Sequence, residues 1–93
     1  MSDAVIRWSV IYRGRVQGVG FRYTVASLAQ GLPVAGYVKN LTDGSVELVV
    51  DADRATFQQL RAAIEAAFTG NIVDTHVEQL PLGEKFNGFT IRR

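Results

Sequence analysis

Val5-Ile6-Arg7-Trp8-Ser9-Val10-Ile11-Tyr12-Arg13 runs directly into Gly14-Arg15-Val16-Gln17-Gly18-Val19-Gly20, and that into Phe21-Arg22-Tyr23-Thr24-Val25. The hydrophobic period changes across this stretch. Ile6, Trp8, Val10 and Tyr12 fall on one face, while Arg7, Ser9, Ile11 and Arg13 make a second, mostly polar face. That period of two predicts a strand. Residues 14–20 then hold three glycines in seven positions, so the chain turns sharply. From Phe21 onward Val25, Leu28 and Ala29 keep helical spacing. Gly31 is predicted to end that helix as a left-handed residue, with Leu32 as its hydrophobic contact and Pro33 as the stop.

The same reading carries outward to the rest of the chain. Val34 to Leu41 is a second strand, Thr42-Asp43-Gly44 a hairpin turn and Ser45 to Asp51 a third strand. Asp53 is placed to cap a second helix, whose apolar stripe is Phe57, Leu60, Ile64 and Phe68, and Gly70-Asn71 ends it. Ile72 to Leu80 is a fourth strand, Pro81 to Glu84 a loop, and Phe86 to Ile91 a short last strand. The expected fold class is α+β: a ferredoxin-like α/β sandwich, βαββαβ plus a short C-terminal strand, with an antiparallel sheet and two helices on one face. Right-handed crossovers put the third strand between the first and second.

Composition narrows the function. The 93 residues fit one domain, expected to span 1–93. Hydrophobic residues at 47 % and charged residues at 20 % are an ordinary globular balance. Ten Lys and Arg against nine Asp and Glu leave a net charge of +1, which argues against a broad nucleic-acid surface. The chain has no cysteine and a single histidine, His76, so a disulfide scaffold, a thiolate zinc site, a cysteine nucleophile and a multi-histidine metal site are excluded. The first residues lack the apolar core of a signal peptide. No apolar run approaches the roughly 20 residues of a membrane span. The expectation is a soluble, cytoplasmic monomer without membrane or nucleic-acid partners.

The predicted topology makes a site. The loop after the first strand and the end of the second strand share one edge of the sheet, separated by the third strand, roughly 10 Å apart. Arg22 stands on one side of that gap and Asn40 on the other. Glycines let consecutive backbone N–H groups point inward around an anion, and a helix N-terminus favours a phosphate there. Gln17, Gly18, Val19, Gly20 and Phe21 are the candidate backbone donors, and Arg22 can hold two phosphate oxygens. An arginine in a first helical turn opposes the helix dipole unless an anion binds. Taken alone, the loop is read equally well as a tight strand-to-helix turn, and Asn40 as the start of the hairpin turn. It is not a Walker A loop, because no Gly-Lys-Ser/Thr follows Gly20, nor a dinucleotide fingerprint, because Tyr23 stands where a small residue is needed. Trp8 and Tyr12 read as core, and His76 as a solvent-facing strand residue between Thr75 and Val77.

Two long motifs then carry a resemblance. Gly14-Arg15-Val16-Gln17-Gly18-Val19-Gly20-Phe21-Arg22 resembles the first acylphosphatase signature. Gly36-Tyr37-Val38-Lys39-Asn40-Leu41-Thr42-Asp43-Gly44-Ser45-Val46-Glu47 resembles the second, and Phe89-Thr90-Ile91-Arg92 is similar to the family's terminus. The resemblance implies hydrolysis of a small acyl phosphate to a carboxylate and inorganic phosphate, with no metal or organic cofactor. It implies that Arg22 binds the phosphate as a catalytic residue and that Asn40 orients the attacking water. Gly20 stands where the family often carries a bulkier residue, a difference that bears on acyl preference.

Two other functions compete. One is a non-catalytic anion- or RNA-binding module of the same fold, which expects aromatic residues on the central strands. Strand three, Val46-Glu47-Leu48-Val49-Val50, has none. The other is an acylphosphatase-like domain of a carbamoyl-transferring hydrogenase maturation factor, for which cysteine-rich zinc fingers are expected to follow.

Overall fold

Alternating and helical patterns become seven elements in a computed structural model that describes residues 4–93. They are β1 (Ile6–Gly14), α1 (Phe21–Gln30), β2 (Ala35–Asn40), β3 (Val46–Ala52), α2 (Arg54–Ala67), β4 (Ile72–Leu80) and β5 (Phe89–Arg92). The sheet order is β4-β1-β3-β2-β5, with β3 between β1 and β2 as the crossover rule requires.

The period-two face of β1 is the core face. Trp8, Val10 and Tyr12 are buried with Val38 of β2 and Val46, Leu48 and Val50 of β3. Phe21 and Val25 of α1, and Phe57, Leu60 and Ile64 of α2, close over them. Aromatic contacts fix the layer spacing: Trp8 stacks on Phe57 at 4.2 Å, and Tyr12 meets Phe21 edge-on at 5.1 Å. Asp53 caps α2 by accepting a 2.7 Å hydrogen bond from the Thr56 N–H, which also lowers its pKa from the usual value.

Three expectations are corrected. The sheet is mixed rather than wholly antiparallel, because β5 pairs with β2 in parallel. Residues 81–88 cross the foot of the sheet from one edge to the other, about 19 Å for four strand spacings, so the chain re-enters at the end where β2 begins. The last strand starts at Phe89 rather than Phe86. Phe86 instead packs on Tyr37, and Gly88, at φ 76°, interrupts the extended run. Gly31 is not left-handed; its φ is −87°. The helix end is closed by short-range bonds, from the Gly31 N–H to Leu28 O and from the Leu32 N–H to Ala29 O.

Gly36 is held where no side chain fits. Its φ is +152°, and a Cβ there overlaps the Val49 carbonyl oxygen on β3. Gly36→Ala is expected to lower the unfolding free energy by about 2–3 kcal/mol, as overpacking does, read from urea melts.

Candidate active site

β1 and β2 both run towards the same end of the sheet, since each is antiparallel to β3. The loop after β1 and the last residue of β2 therefore meet there. They line one cavity of about 190 Å³, bounded by Val16, Gly18, Gly20, Phe21, Arg22, Tyr23, Asn40 and Ile91.

The loop is built from its ends inward. Arg15 is tied to the α2–β4 turn, its N–H donating to Asn71 O at 2.9 Å while Asn71 Nδ2 donates back to its carbonyl. Val16 is fully buried, and Phe21 is buried against Tyr12 and Phe68. Between these two anchors Gly18 and Gly20 have φ of 76° and 77°. No atom lies within 4 Å of where a Cβ would stand at either, so the backbone conformation, not crowding, selects glycine. Val19 between them is not left-handed, an alternation suited to turning N–H groups into a concavity. Gly20 is the N-cap of α1 and supplies no side-chain bond, and the first turn has no acidic residue. The first intrahelical bond comes from the Thr24 N–H to Gly20 O, so the N–H groups ahead of it are left to an anion or to water.

Arg22 leaves this first turn partly exposed, and its Nη1 donates to the Arg92 carbonyl oxygen of β5 at 3.2 Å. One of its five donors is so used, which fixes the guanidinium without exhausting it. Asn40 ends β2 on the same face as the buried Val38. Its Oδ1 is buried and accepts no hydrogen bond from the described protein groups.

The structure thus brings Gly18, Gly20, Phe21, Arg22 and Asn40 together and leaves two expected residues outside the cavity lining. Val19 points to the exterior. The side chain of Gln17 serves architecture: its Nε2 donates to Leu41 O and Ser45 O, both at 2.8 Å, and so fastens the loop to the turn that follows Asn40 while its backbone N–H is not committed by these bonds. Tyr23 and Ile91 were not anticipated. Tyr23 is a large exposed residue beside Arg22, but Ile91 arrives only through the parallel pairing of β5.

The turn is held from the other side by Asp43. Its carboxylate accepts from the Ser45 hydroxyl, from the Ser45 N–H at 2.9 Å and from Arg13 at 3.2 Å. These bonds, the two to Ser45 first, hold its pKa at about 2 against an ordinary 3.8. A lowered folded-state pKa stabilises the protein above the unfolded value, and that contribution is lost as pH falls from 3.8 through about 2. Asp43→Asn is therefore expected to be less stable than the parent near neutral pH and to converge with it at about pH 2, read from denaturation midpoints.

Among the described residues no three His, Cys, Asp or Glu side chains gather as a metal-binding group. Among the described residues no helix is long and apolar enough to cross a membrane.

The family model described as Acylphosphatase matches residues 8–91. The chain belongs to the acylphosphatase family. It is 35 % identical to the acylphosphatase of Trichormus variabilis over 89 residues, 96 % of this chain and 88 % of that one. A match to the acylphosphatase of Treponema denticola is 52 % identical but covers only 60 % of each chain. Among solved structures, acylphosphatase from Bacillus subtilis superposes with a TM-score of 0.85 at 33 % identity, covering 95 % of this chain and 99 % of that one. Full-length HypF shares the fold, with a TM-score of 0.84 at 21 % identity, over 12 % of its own length. As a member of the acylphosphatase family the chain is a hydrolase acting on acyl phosphates.

Proposed function

We propose that the loop 17–21 and Arg22 hold the phosphoryl group of a small acyl phosphate while Asn40 orients the attacking water. The observation that carries this is the single cavity in which Arg22, from an uncapped helix start, faces the same space as Asn40, from the neighbouring sheet edge. An acyl phosphate is a mixed anhydride, and its carboxylate leaves without a strong general acid. The remaining task is to hold the phosphoryl oxygens and set water in line. The water oxygen bonds to phosphorus, the bond from phosphorus to the acyl oxygen breaks, and its electron pair leaves on the carboxylate. Both water protons finish on the phosphate, so no side-chain base is required. Asn40 accepts a hydrogen bond from the water but takes no proton.

The protein acts as one domain over residues 1–93, as a cytoplasmic monomer, without nucleic acid. The net charge of only +1 supports the absence of a nucleic-acid partner. Hydrolysis of benzoyl phosphate, assayed with and without excess chelator, tests the reading. The expected result is turnover that chelator leaves unchanged. No turnover, or turnover abolished by chelator, overturns it.

A further inference from the structure

The loop ahead of α1 and the turn that follows Asn40 are joined by one side chain. The Gln17 amide nitrogen carries two N–H groups, and it donates to Leu41 O and Ser45 O, both at 2.8 Å. Those carbonyls stand at the two ends of the turn, and Leu41 is the residue next to Asn40. The turn does not depend on Gln17 for its own closure. Leu41 O already accepts from the Gly44 N–H at 3.2 Å, and Ser45 O from the Leu41 N–H at 2.9 Å. Asp43 binds Ser45 as well, and Gly44 takes a left-handed φ of 93°. What Gln17 adds is a link between two segments. On the loop side little else makes such a link. Open space lies where side chains would stand at Gly18 and Gly20. Among the described residues, Gln17 makes the only side-chain hydrogen bonds from residues 17–20. It sits between Val16, which is fully buried, and Gly18, which lines the cavity.

We infer that the Gln17 side chain is a positioning residue: it sets the distance between Asn40 and the loop, and so the line along which water meets the phosphoryl group. The inference rests on the proposed roles of the loop and of Asn40. In-line attack tolerates little error, since a shift of about 1 Å in a reacting group can cost about 10²-fold in rate. Water and phosphoryl group are held by different segments, Asn40 at the end of β2 and the loop between β1 and α1. Strand β3 lies between β1 and β2, so no ladder hydrogen bonds join those two strands directly. The Gln17 amide bridges the two segments instead. Its backbone N–H is not used in these bonds, so one residue offers its main chain to the phosphate and its side chain to the turn beside Asn40.

Gln17→Met keeps the length of the side chain and removes both donors. It is expected to lower kcat for benzoyl phosphate about tenfold, with inorganic phosphate affinity changed less than about threefold. The decisive comparison adds Asn40→Ala. A residue that acts through Asn40 has nothing to position once the Asn40 amide is gone. Gln17→Met is therefore expected to change kcat less than about twofold in the Asn40→Ala background. Amide exchange supplies a readout free of turnover. In the wild type, saturating inorganic phosphate is expected to slow exchange at the Leu41 and Gly44 N–H groups, which lie outside the cavity lining. Gln17→Met is expected to remove that slowing. Losses that multiply in the double variant, or a phosphate affinity that falls as far as kcat, overturn the inference and make Gln17 a fastening of the loop alone. Turn amides that ignore phosphate in the wild type overturn it even where Gln17→Met does not fold. An Asn40→Ala single variant with wild-type kcat overturns the catalytic reading together with the inference, which tells the two failures apart.

Discussion

Arg22→Lys is expected to lower kcat/KM for benzoyl phosphate by about 10²–10³-fold, the loss that follows removal of one fixed donor at a developing charge. The substitution keeps the positive charge, so the test isolates geometry. A guanidinium presents parallel N–H groups that match two phosphate oxygens at once, whereas an ammonium is a point charge on a flexible stem. In this structure the guanidinium is also prealigned, because Nη1 is anchored on the Arg92 carbonyl of β5. Lysine has no second donor face with which to hold that anchor and the phosphate together. Stability is expected to stay within about 0.5 kcal/mol of the parent, since the bond lost is exposed. The thermal melt should therefore overlay while inorganic phosphate binds more weakly. A variant with activity within tenfold of wild type would make Arg22 an electrostatic steering residue rather than the phosphate clamp.

What the sequence disclosed follows the range of the interactions concerned. The inward face of β1, the Asp53 cap and the α2 stripe are local patterns, and each holds in the structure. That Arg22 and Asn40 line one cavity was legible from topology, while the roles expected of them came only from the resemblance to the two signatures. The side-chain role of Gln17 was hidden for the opposite reason. Nothing near it in the chain announces that its amide is committed to carbonyls 24 and 28 residues away. Phe86 continues an apolar alternation, yet its ring is drawn onto Tyr37 and the Arg7 guanidinium, a choice made by tertiary packing. Ile91 enters the cavity only because β5 joins the sheet beside β2, and a four-residue edge strand carries too little pattern to declare its neighbour. The Gly31 reading failed because two helix endings use the same residue. The helix tightened instead of turning left-handed, and glycine permits both.

Asn40→Ala is expected to cut kcat for benzoyl phosphate by about 10²-fold, the cost of misplacing a reacting group, with inorganic phosphate affinity changed less than about threefold. The division arises because Asn40 touches the cavity from the sheet side, whereas the proposed phosphate donors lie on the loop and α1. The same residue makes an unusual stability prediction. A buried acceptor without a partner costs about 1–3 kcal/mol, and Asn40 Oδ1 is such an atom. Natural cores leave few of these, and a water donating to Oδ1 gives this one a use. Asn40→Leu keeps the branched four-atom side-chain shape, with somewhat larger volume, and removes the polar atoms. It is expected to abolish turnover comparably while raising the urea midpoint above that of the parent. Loss of activity with gain of stability separates a residue that serves chemistry from one that serves the fold. A lowered midpoint for Asn40→Leu would assign Asn40 to holding the turn, and an equal loss of phosphate affinity in Asn40→Ala would move it into the phosphate clamp beside Arg22.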